Sequence, residues 1–543
     1  GGGGPEVKGA WRARPMSRSL LAHQLALRSP LAPHRAFCSA SRRWRVAVVG
    51  SGPSGFYAAD FLLKKDASVT VSMFERLPVP FGLVRYGVAP DHQEVKNVME
   101  RFEFIAADDR FTFFGNVSVG RPSPAAGGAM GDGWADQLRQ GLIDFGTSLG
   151  GSGMAAGPRI ELEDLRRAYD AVILAYGASD DRKLGIEGEC LPGVHPAREF
   201  VDWYNGHPEW AKGRRDSAAG GAFDLSAVET AVIIGTGNVA LDCARILTKD
   251  PDAFASDSDI CERALEELRS SALRQVVILG RRGVLQAAFT IKELRELTKL
   301  DGVDTIIDTP ADAFSSAVLK AAAADRPRKR LVELMQTLVP ANDASGGTGG
   351  KQIKICLQRS PVCFQADDGG RLASVLVEHT KLVGEPGPNQ RAEAVAESAY
   401  TLPCQLALTS VGYRSLPIDG APFDERRAIV PNSKGRVDGE PGLYTVGWLK
   451  RGPSGIILTN VNDAAETVDT LLQDRKVQTA SGVEGAEKGG DDEIRDILDA
   501  HGGVVLDFAA VRRIAEAEVR RGEGIGKVRE KFVSVQELLE AAR

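Results

Sequence analysis

The sequence lacks several features that would assign it to common classes of protein. No apolar run among its 543 residues approaches the roughly 20 residues that span a bilayer, so we expect no transmembrane segment. The formal net charge is only −6, which gives no general reason to expect nucleic-acid binding. The seven cysteines include no Cys-X-X-Cys pair, so neither a thioredoxin-type dithiol nor a paired-cysteine zinc site is supported. We therefore expect free thiols, no metal site and a soluble globular chain.

Acidic residues are absent from one long segment, between Val7 and Ala59. The same segment carries eight arginines together with several serines, and it has no long apolar core of the kind found in secretory signals. An arginine-rich, acid-poor N-terminus is typical of an organelle transit peptide. We expect residues 1–43 to be such a segment and to lie outside the fold; a basic, disordered tail without a targeting role is the alternative.

A glycine-rich turn follows the first apolar run of the chain. The pattern around it predicts three elements: a strand at 45–49, a helix at 53–65 and a strand at 68–75. In such a unit Gly50 permits the tight turn, Gly52 allows a pyrophosphate to approach the backbone, and Gly55 allows close packing of helix and strand. Glu75 ends the second strand, where a carboxylate accepts ribose hydroxyls and repels a 2′-phosphate. This spacing favours FAD or NAD, and a structural turn in an unrelated domain is the alternative.

A second unit of the same kind begins near Ala231. Its predicted elements are a strand before Gly235, a helix at 238–249, an acidic helical insert at 257–270 and a strand at 275–279. Gly235, Gly237 and Ala240 form the variant of the turn in which alanine takes the third place. The strand ends in Arg281 and Arg282, which could clamp a 2′-phosphate and so select NADP, although an arginine pair at a strand end is also often a solvated edge.

The remaining pattern gives a coarse division of the chain. We expect a flexible insertion at 121–157, a linker at 342–350, an antiparallel excursion with strands at 352–357 and 372–379, buried strands at 406–411 and 443–448, and a charged helical tail after about 473.

Three longer strings surround the glycine turns, at 77–92 (LPVPFGLVRYGVAPDH), 288–295 (AFTIKELR) and 447–457 (GWLKRGPSGII). In their order and identity they closely resemble the adrenodoxin reductase family, the mitochondrial-type ferredoxin–NADP+ reductases, over residues 44–120 and 159–543. The resemblance implies an α/β fold with two Rossmann-like, doubly wound dinucleotide-binding domains. It implies a discontinuous FAD domain at 44–183 and 409–543, with an NADP domain at 184–408 inserted in it.

The resemblance also implies site residues. The FAD site would comprise Gly50, Gly52, Ser54, Gly55, Glu75, Leu83, Val119, Trp448, Gly455, Ile456 and Ile457. The NADP site would comprise Thr236, Gly237, Asn238, Val239, Arg281, Arg282, Glu293 and Gly455. His92 and Asp242 would form an interdomain polar pair, and Arg295, Arg326 and Arg330 would face an acidic 2Fe–2S ferredoxin. Taken alone, Trp448 could be a core aromatic, His92 a surface histidine and the 326–330 run a solvated helix start. Ser54, Thr236 and Val284 depart from the family pattern.

The implied activity is hydride transfer from NADPH to FAD, followed by single-electron transfer to an adrenodoxin-like ferredoxin. The cofactors would carry this chemistry, so we name no general acid, base or nucleophile. We expect a monomer in the mitochondrial matrix, with a plastid as the alternative address. Two other functions are weighed: another NADPH-dependent two-dinucleotide flavoprotein, and a nucleotide sensor without activity. The missing Cys-X-X-Cys pair disfavours a disulfide reductase.

Overall fold

The computed structural model describes residues 43–120, 157–210, 223–254, 256–340, 350–455, 457–482 and 486–543. The expected transit peptide except Arg43, the expected insertion except Gly157, and the linker except Gly350 lie outside these residues. The strands, numbered in chain order, are β1 Trp44–Val49, β2 Val69–Glu75, β3 Phe111–Gly115, β4 Ser118–Val119, β5 Arg159–Ile160, β6 Ala171–Leu174, β7 Asp180–Asp181, β8 Val194–Pro196, β9 Thr230–Ile234, β10 Gln275–Gly280, β11 Val303–Asp308, β12 Lys351–Leu357, β13 Arg359–Ala366, β14 Leu372–Val383, β15 Arg391–Ala394, β16 Tyr400–Pro403, β17 Leu406–Thr409, β18 Tyr413–Arg414, β19 Asn432–Ser433, β20 Arg436–Val437 and β21 Leu443–Thr445.

The α-helices are α1 Pro53–Lys65, α2 Leu83–Tyr86, α3 Gln93–Lys96, α4 Val98–Ala106, α5 Leu162–Ala168, α6 Ala197–Tyr204, α7 Asn238–Thr248, α8 Glu262–Arg269, α9 Ile291–Leu297, α10 Ser316–Ala323, α11 Arg326–Thr337, α12 Trp448–Arg451, α13 Thr459–Ala480, α14 Asp491–His501, α15 Phe508–Glu523 and α16 Val535–Ala541. Among the described residues, none of these helices is long and apolar enough to cross a membrane.

A seven-stranded sheet carries the first glycine turn. Its order is β19-β20-β21-β6-β1-β2-β3, and the five strands from β21 to β3 are mutually parallel. The central strand β1 is apolar and buried from Val46 onward, as expected for a parallel strand covered on both faces. Helix α1 packs back on this sheet, so its N-terminus lies at the carboxyl end of β1.

A six-stranded, all-parallel sheet carries the second turn, in the order β11-β12-β10-β9-β17-β8. Strand β12 belongs to it, pairing in parallel with both β10 and β11, so the prediction of an antiparallel strand at 352–357 is wrong. Alternation of apolar and polar residues shows which face is buried, but it does not identify the neighbouring strands. Strand β11 was not predicted, because its Asp304 and Thr305 interrupt the apolar pattern.

The two faces of the second sheet are covered differently. One face packs against helices, including α7 and α9, in a large apolar core. The other face packs against the antiparallel sheet of β13, β14, β15 and β16, through side chains such as Phe364 and Val375. This antiparallel sheet contains the predicted strand at 372–379, which extends to Val383.

The C-terminal residues are part of the core. Phe508 and Val511 of α15 join the core of the first sheet, and Leu538 of α16 lies in a neighbouring apolar cluster. The expected charged tail is therefore an amphipathic set of helices whose apolar faces are buried. The prediction of a charged tail considered how many charged residues this segment has, but not their spacing along the helices.

The chain enters and leaves the second sheet at adjacent positions. Strand β7, which precedes this sheet in the sequence, pairs antiparallel with β18, which follows the sheet. The strands of the first sheet thus lie on both sides of the second sheet in the sequence. The predicted fold class, two Rossmann-like units with one inserted in the other, is confirmed.

Candidate cofactor-binding site

The three glycines of the first turn occupy three different environments. Gly50 has φ +104°, and a Cβ there would lie 2.6 Å from the carbonyl oxygen of Ala175. A Cβ on Gly55 would lie 2.1 Å from the carbonyl oxygen of Gly50. A Cβ on Gly52 would meet no described residue within 4 Å, so this side of the backbone is open in that part of the chain. Because Gly52 is the N-cap of α1, this open side exposes N–H groups and positive potential that suit a pyrophosphate.

Glu75 is fixed against this turn by Ser51. The Ser51 hydroxyl donates to Glu75 Oε2 at 2.6 Å, and the backbone N–H groups of Ser51 and Leu77 donate to its two oxygens at 3.2 and 3.0 Å. A carboxylate has four acceptor positions, and three are used here, so one remains for a ribose hydroxyl. Its charge disfavours a 2′-phosphate at this place, so the geometry suits FAD or NAD.

Two distant segments close around the N-terminus of α1. Gly82, directly before Leu83, lies so close to Gly52 that a Cβ on it would be 3.2 Å from the Gly52 Cα. A Cβ on Gly447 would lie 2.1 Å from the hydroxyl of Ser54. Trp448 therefore begins its short helix beside the first turn, and its ring centroid lies 5.2 Å from that of Tyr413.

Other predicted FAD residues take less direct places. Val119 lies in β4, in register with Ile160, and packs at the edge of an apolar cluster. Gly455 has φ +85° and faces Thr459 at the start of α13. Ile457 packs against the core of the first sheet, whereas Ile456 lies outside the described residues.

The second turn repeats the geometry of the first. Gly235 has φ +127°, and a Cβ there would lie 2.1 Å from the carbonyl oxygen of Ser410. Gly237 is the N-cap of α7 and is open on its outer side, as Gly52 is in the first turn. Ala240 is fully buried at the third place. A second pyrophosphate could therefore bind the N-terminus of α7.

Several predicted NADP residues surround this turn. The backbone N–H of Thr290 donates to Asn238 Oδ1 at 2.8 Å, and that of Ala288 donates to the Thr236 carbonyl at 2.8 Å. Val239 packs against the adjacent core. Glu293 lies in the first turn of α9, and its Oε2 is buried without a hydrogen-bond partner in the described part of the chain. An unpartnered buried acceptor is costly, so this oxygen suits a ligand that donates, such as a ribose hydroxyl.

Arg281 and Arg282 are exposed directly after β10. Within the described residues, Arg281 makes no ion pair. In the part of the chain that the structure describes, the Arg282 guanidinium donates only to the Pro388 carbonyl, at 3.3 Å. Two guanidinium groups without carboxylate partners fit the charge and the geometry of a phosphate.

His92 and Asp242 meet through intermediaries and not in a direct hydrogen bond. His92 Nε2 lies 2.9 Å from Glu296 Oε2. The buried Arg245 contacts Asp242 at 2.8 Å, Glu296 at 3.2 Å and Asp91 at 3.0 Å. Arg245 thus links the segment after α2 to helices α7 and α9, a role that the sequence pattern did not reveal.

Burial and the neighbouring cations act in opposite directions on the pKa values of this polar cluster. Burial raises the pKa of Asp242, and Arg245 offsets only part of that increase. Burial would also raise the pKa of Asp91, but Arg245 and Lys249 keep it below its ordinary value. Asp242 and Asp91, both in contact with Arg245, therefore differ in how readily they take up a proton.

The predicted partner surface is basic and exposed. Arg295 lies on α9 and Arg326 and Arg330 on α11, and these two helices pack against each other. None of the three arginines makes an ion pair among the described residues. Arg328, between them, donates instead to the Ala287 carbonyl at 2.6 Å.

The described cysteines give no sign of dithiol chemistry. Six of them are free, and four of these are buried. In the described part of the chain, no cluster of His, Cys, Asp and Glu side chains could hold a metal ion.

Comparison with known proteins identifies the family. Residues 44–315 match the sequence profile of pyridine nucleotide-disulphide oxidoreductases. The mitochondrial NADPH:adrenodoxin oxidoreductase of Bos taurus is 42% identical over 504 residues, which cover 91% of each chain. The NADPH-ferredoxin reductase FprA of Mycobacterium tuberculosis is 39% identical over 92% of this chain and 99% of its own length. The chain belongs to the NADPH:adrenodoxin oxidoreductase family.

Two further relatives show how widely the family's sequence and fold are shared. The mitochondrial NADPH:adrenodoxin oxidoreductase of Arabidopsis thaliana is 37% identical, with 94% of this chain and 97% of its own length covered. The structure of Mycobacterium tuberculosis FprA in complex with NADPH superposes with a TM-score of 0.79 at 38% identity. The superposition covers 92% of this chain and all of that one. The family includes both mitochondrial and bacterial members, so membership alone does not fix a compartment.

Proposed function

We propose that this protein is an NADPH:ferredoxin oxidoreductase that holds FAD at the first glycine turn and binds NADPH at the second. One observation carries the proposal: the chain has two open helix N-termini, one beside a fixed carboxylate and the other beside two arginines that have no carboxylate partner among the described residues. This contrast selects two different dinucleotides. The names of the relatives, NADPH:adrenodoxin oxidoreductase and NADPH-ferredoxin reductase, support the same activity.

Each group of residues has a task in this proposal. Gly50, Gly52, Ser54, Gly55, Glu75, Leu83, Val119, Trp448, Gly455, Ile456 and Ile457 would hold FAD. Thr236, Gly237, Asn238, Val239, Arg281, Arg282, Glu293 and Gly455 would hold NADP(H). When bound, FAD can accept a hydride and release electrons singly, which links a two-electron donor to a one-electron acceptor. The protein supplies position, helix-terminal charge and the choice between nucleotides.

The electron acceptor is proposed to be an acidic, adrenodoxin-like 2Fe–2S ferredoxin. Arg295, Arg326 and Arg330 form an exposed positive surface on a chain whose net charge is −6. Such a surface would steer an acidic partner and orient its approach. We further propose a monomer with an FAD domain at 44–183 and 409–543 and an NADP domain at 184–408.

A mitochondrial matrix location is also proposed. Relatives from Bos taurus and Arabidopsis thaliana carry the word mitochondrial in their names, and the arginine-rich, acid-poor start of the chain agrees with a transit peptide. Fusion of residues 1–43 to a fluorescent protein tests this localisation, and diffuse cytosolic fluorescence would contradict it.

The activity is tested by NADPH-driven reduction of cytochrome c by the purified protein, with and without a 2Fe–2S ferredoxin. We expect a yellow protein whose rate depends on ferredoxin and is much higher with NADPH than with NADH. A rate that ferredoxin does not change would point to a different flavoprotein oxidoreductase. A colourless protein that binds nucleotide without turnover would support a sensor.

A further inference from the structure

The turn that carries Arg281 and Arg282 is held by the antiparallel sheet. The Thr380 hydroxyl, on β14, donates to the Arg281 carbonyl at 2.7 Å. The backbone N–H of Gln358, before β13, donates to the Arg282 carbonyl at 3.1 Å. The first bond fixes the backbone of Arg281 to the antiparallel sheet. The second fixes that of Arg282 to the residue that leads from β12 of the nucleotide-binding sheet into β13 of the antiparallel sheet.

The buried side chain of Gln286 joins this turn to the loop between β14 and β15. Its Oε1 accepts from the backbone N–H of Gly283 at 3.0 Å. Its Nε2 donates to the Gly387 carbonyl at 2.5 Å and to Gln390 Oε1 at 3.2 Å. Only 7% of the residue is exposed, so water cannot easily replace these bonds.

Pro388 of the loop at 384–390 and Leu382 at the end of β14 also contact the turn. The Pro388 carbonyl accepts from the Arg282 guanidinium at 3.3 Å. The Leu382 side chain lies so close to Gly283 that a Cβ there would be 2.8 Å from its Cδ1. The direction in which the two guanidinium groups project thus depends on the seating of this loop against the turn.

We infer that Gln286 is a positioning residue for recognition of the nucleotide 2′-phosphate, acting through the Arg281–Arg282 turn without touching the nucleotide. The inference rests on the proposed function of that turn. A glutamine amide supplies one acceptor and two donors in a fixed plane, and all three are used here. Glutamate would keep the acceptor and lose the donors, and methionine would fill the space and lose both.

The test compares Gln286→Met with a matched control, Gln352→Met. Gln352 accepts from Gln275 at 2.8 Å near the amino ends of β10 and β12, away from the arginine turn. Binding of 2′,5′-ADP and of 5′-AMP is measured by calorimetry, and KM and kcat are measured with NADPH and NADH. Arg281→Ala/Arg282→Ala, alone and combined with Gln286→Met, completes the set.

We expect Gln286→Met to weaken 2′,5′-ADP binding about tenfold, the size expected for loss of one or two buried hydrogen bonds. The KM for NADPH should rise with it, while kcat at saturating NADPH, 5′-AMP binding and the NADH kinetics stay within about twofold. Gln352→Met should change none of these. In the double-alanine background, Gln286→Met should cause no further loss of 2′,5′-ADP affinity.

Equal losses for 2′,5′-ADP and 5′-AMP would overturn the inference, because Gln286 would then support the fold in general. A further loss in the double-alanine background would do the same. If Gln286→Met does not fold, Gln286→Glu provides the same comparison, since it retains the bond to Gly283. A wild-type protein without preference for 2′,5′-ADP over 5′-AMP would instead refute the proposed NADP site, which is a separate failure.

Discussion

Replacement of Gly55 by alanine should weaken the binding of FAD at the first glycine turn. The added Cβ would lie 2.1 Å from the carbonyl oxygen of Gly50 and 3.3 Å from Val48 Cγ1. A tolerable contact needs about 3 Å or more, so helix α1 would have to move away from β1 by nearly 1 Å, a strain of about 1–3 kcal/mol. That movement would also displace the N–H groups at Gly52 that are aimed at the pyrophosphate.

The assay is flavin absorbance per protein after purification, together with the melting temperature before and after added FAD. We expect Gly55→Ala to retain less than about a tenth of the flavin and to melt several degrees lower, as a strain of this size implies. Ala240→Gly is the matched control, because the second turn already accommodates a methyl group at the corresponding place. A Gly55→Ala protein with full flavin content and an unchanged melting temperature would refute the reasoning.

Two other predictions concern the partner surface and acid stability. Arg326→Glu with Arg330→Glu should lower ferredoxin-dependent cytochrome c reduction by about tenfold or more at low salt, with ferricyanide reduction by NADPH unchanged; a parallel fall of both activities would show a structural role. Burial lowers the pKa of His207 to about 4, so the folded protein keeps this ring neutral while the unfolded chain takes up a proton near pH 6.5. The neutral His207 ring therefore makes its full contribution to the unfolding free energy above pH 6.5. This contribution, about 3 kcal/mol in total, is lost as the pH falls toward 4. His207→Gln should flatten this part of the pH dependence of the unfolding free energy, and an unchanged slope would contradict the assignment.

The features that were predicted best from the sequence are those formed by residues close together along the chain. The helix at 53–65 matches α1 at both ends, and the glycine spacing indicated both turns, because the strand end, the turn and the helix start lie within a few positions of each other. The placement of Glu75 at the first turn followed from the length of a single strand–helix–strand unit. Ser51, which holds Glu75, has no distinguishing pattern in the sequence.

The interactions that escaped prediction join residues far apart in the chain. Gln286 meets Gly387 across about a hundred positions, and Arg245 meets Asp91 across more than a hundred and fifty. Strand β12 was assigned to the wrong sheet for the same reason, since strand pairing is decided by the assembled fold. The buried position of Phe508 likewise depends on a sheet whose strands begin at residue 44.

The antiparallel pair of β7 and β18 has a consequence for how the two sheets are connected. Because the chain leaves and returns at neighbouring positions, the segment that carries the second sheet has adjacent ends. A segment with adjacent ends interrupts its host at a single place, so the strands on either side of it can still pair in one sheet.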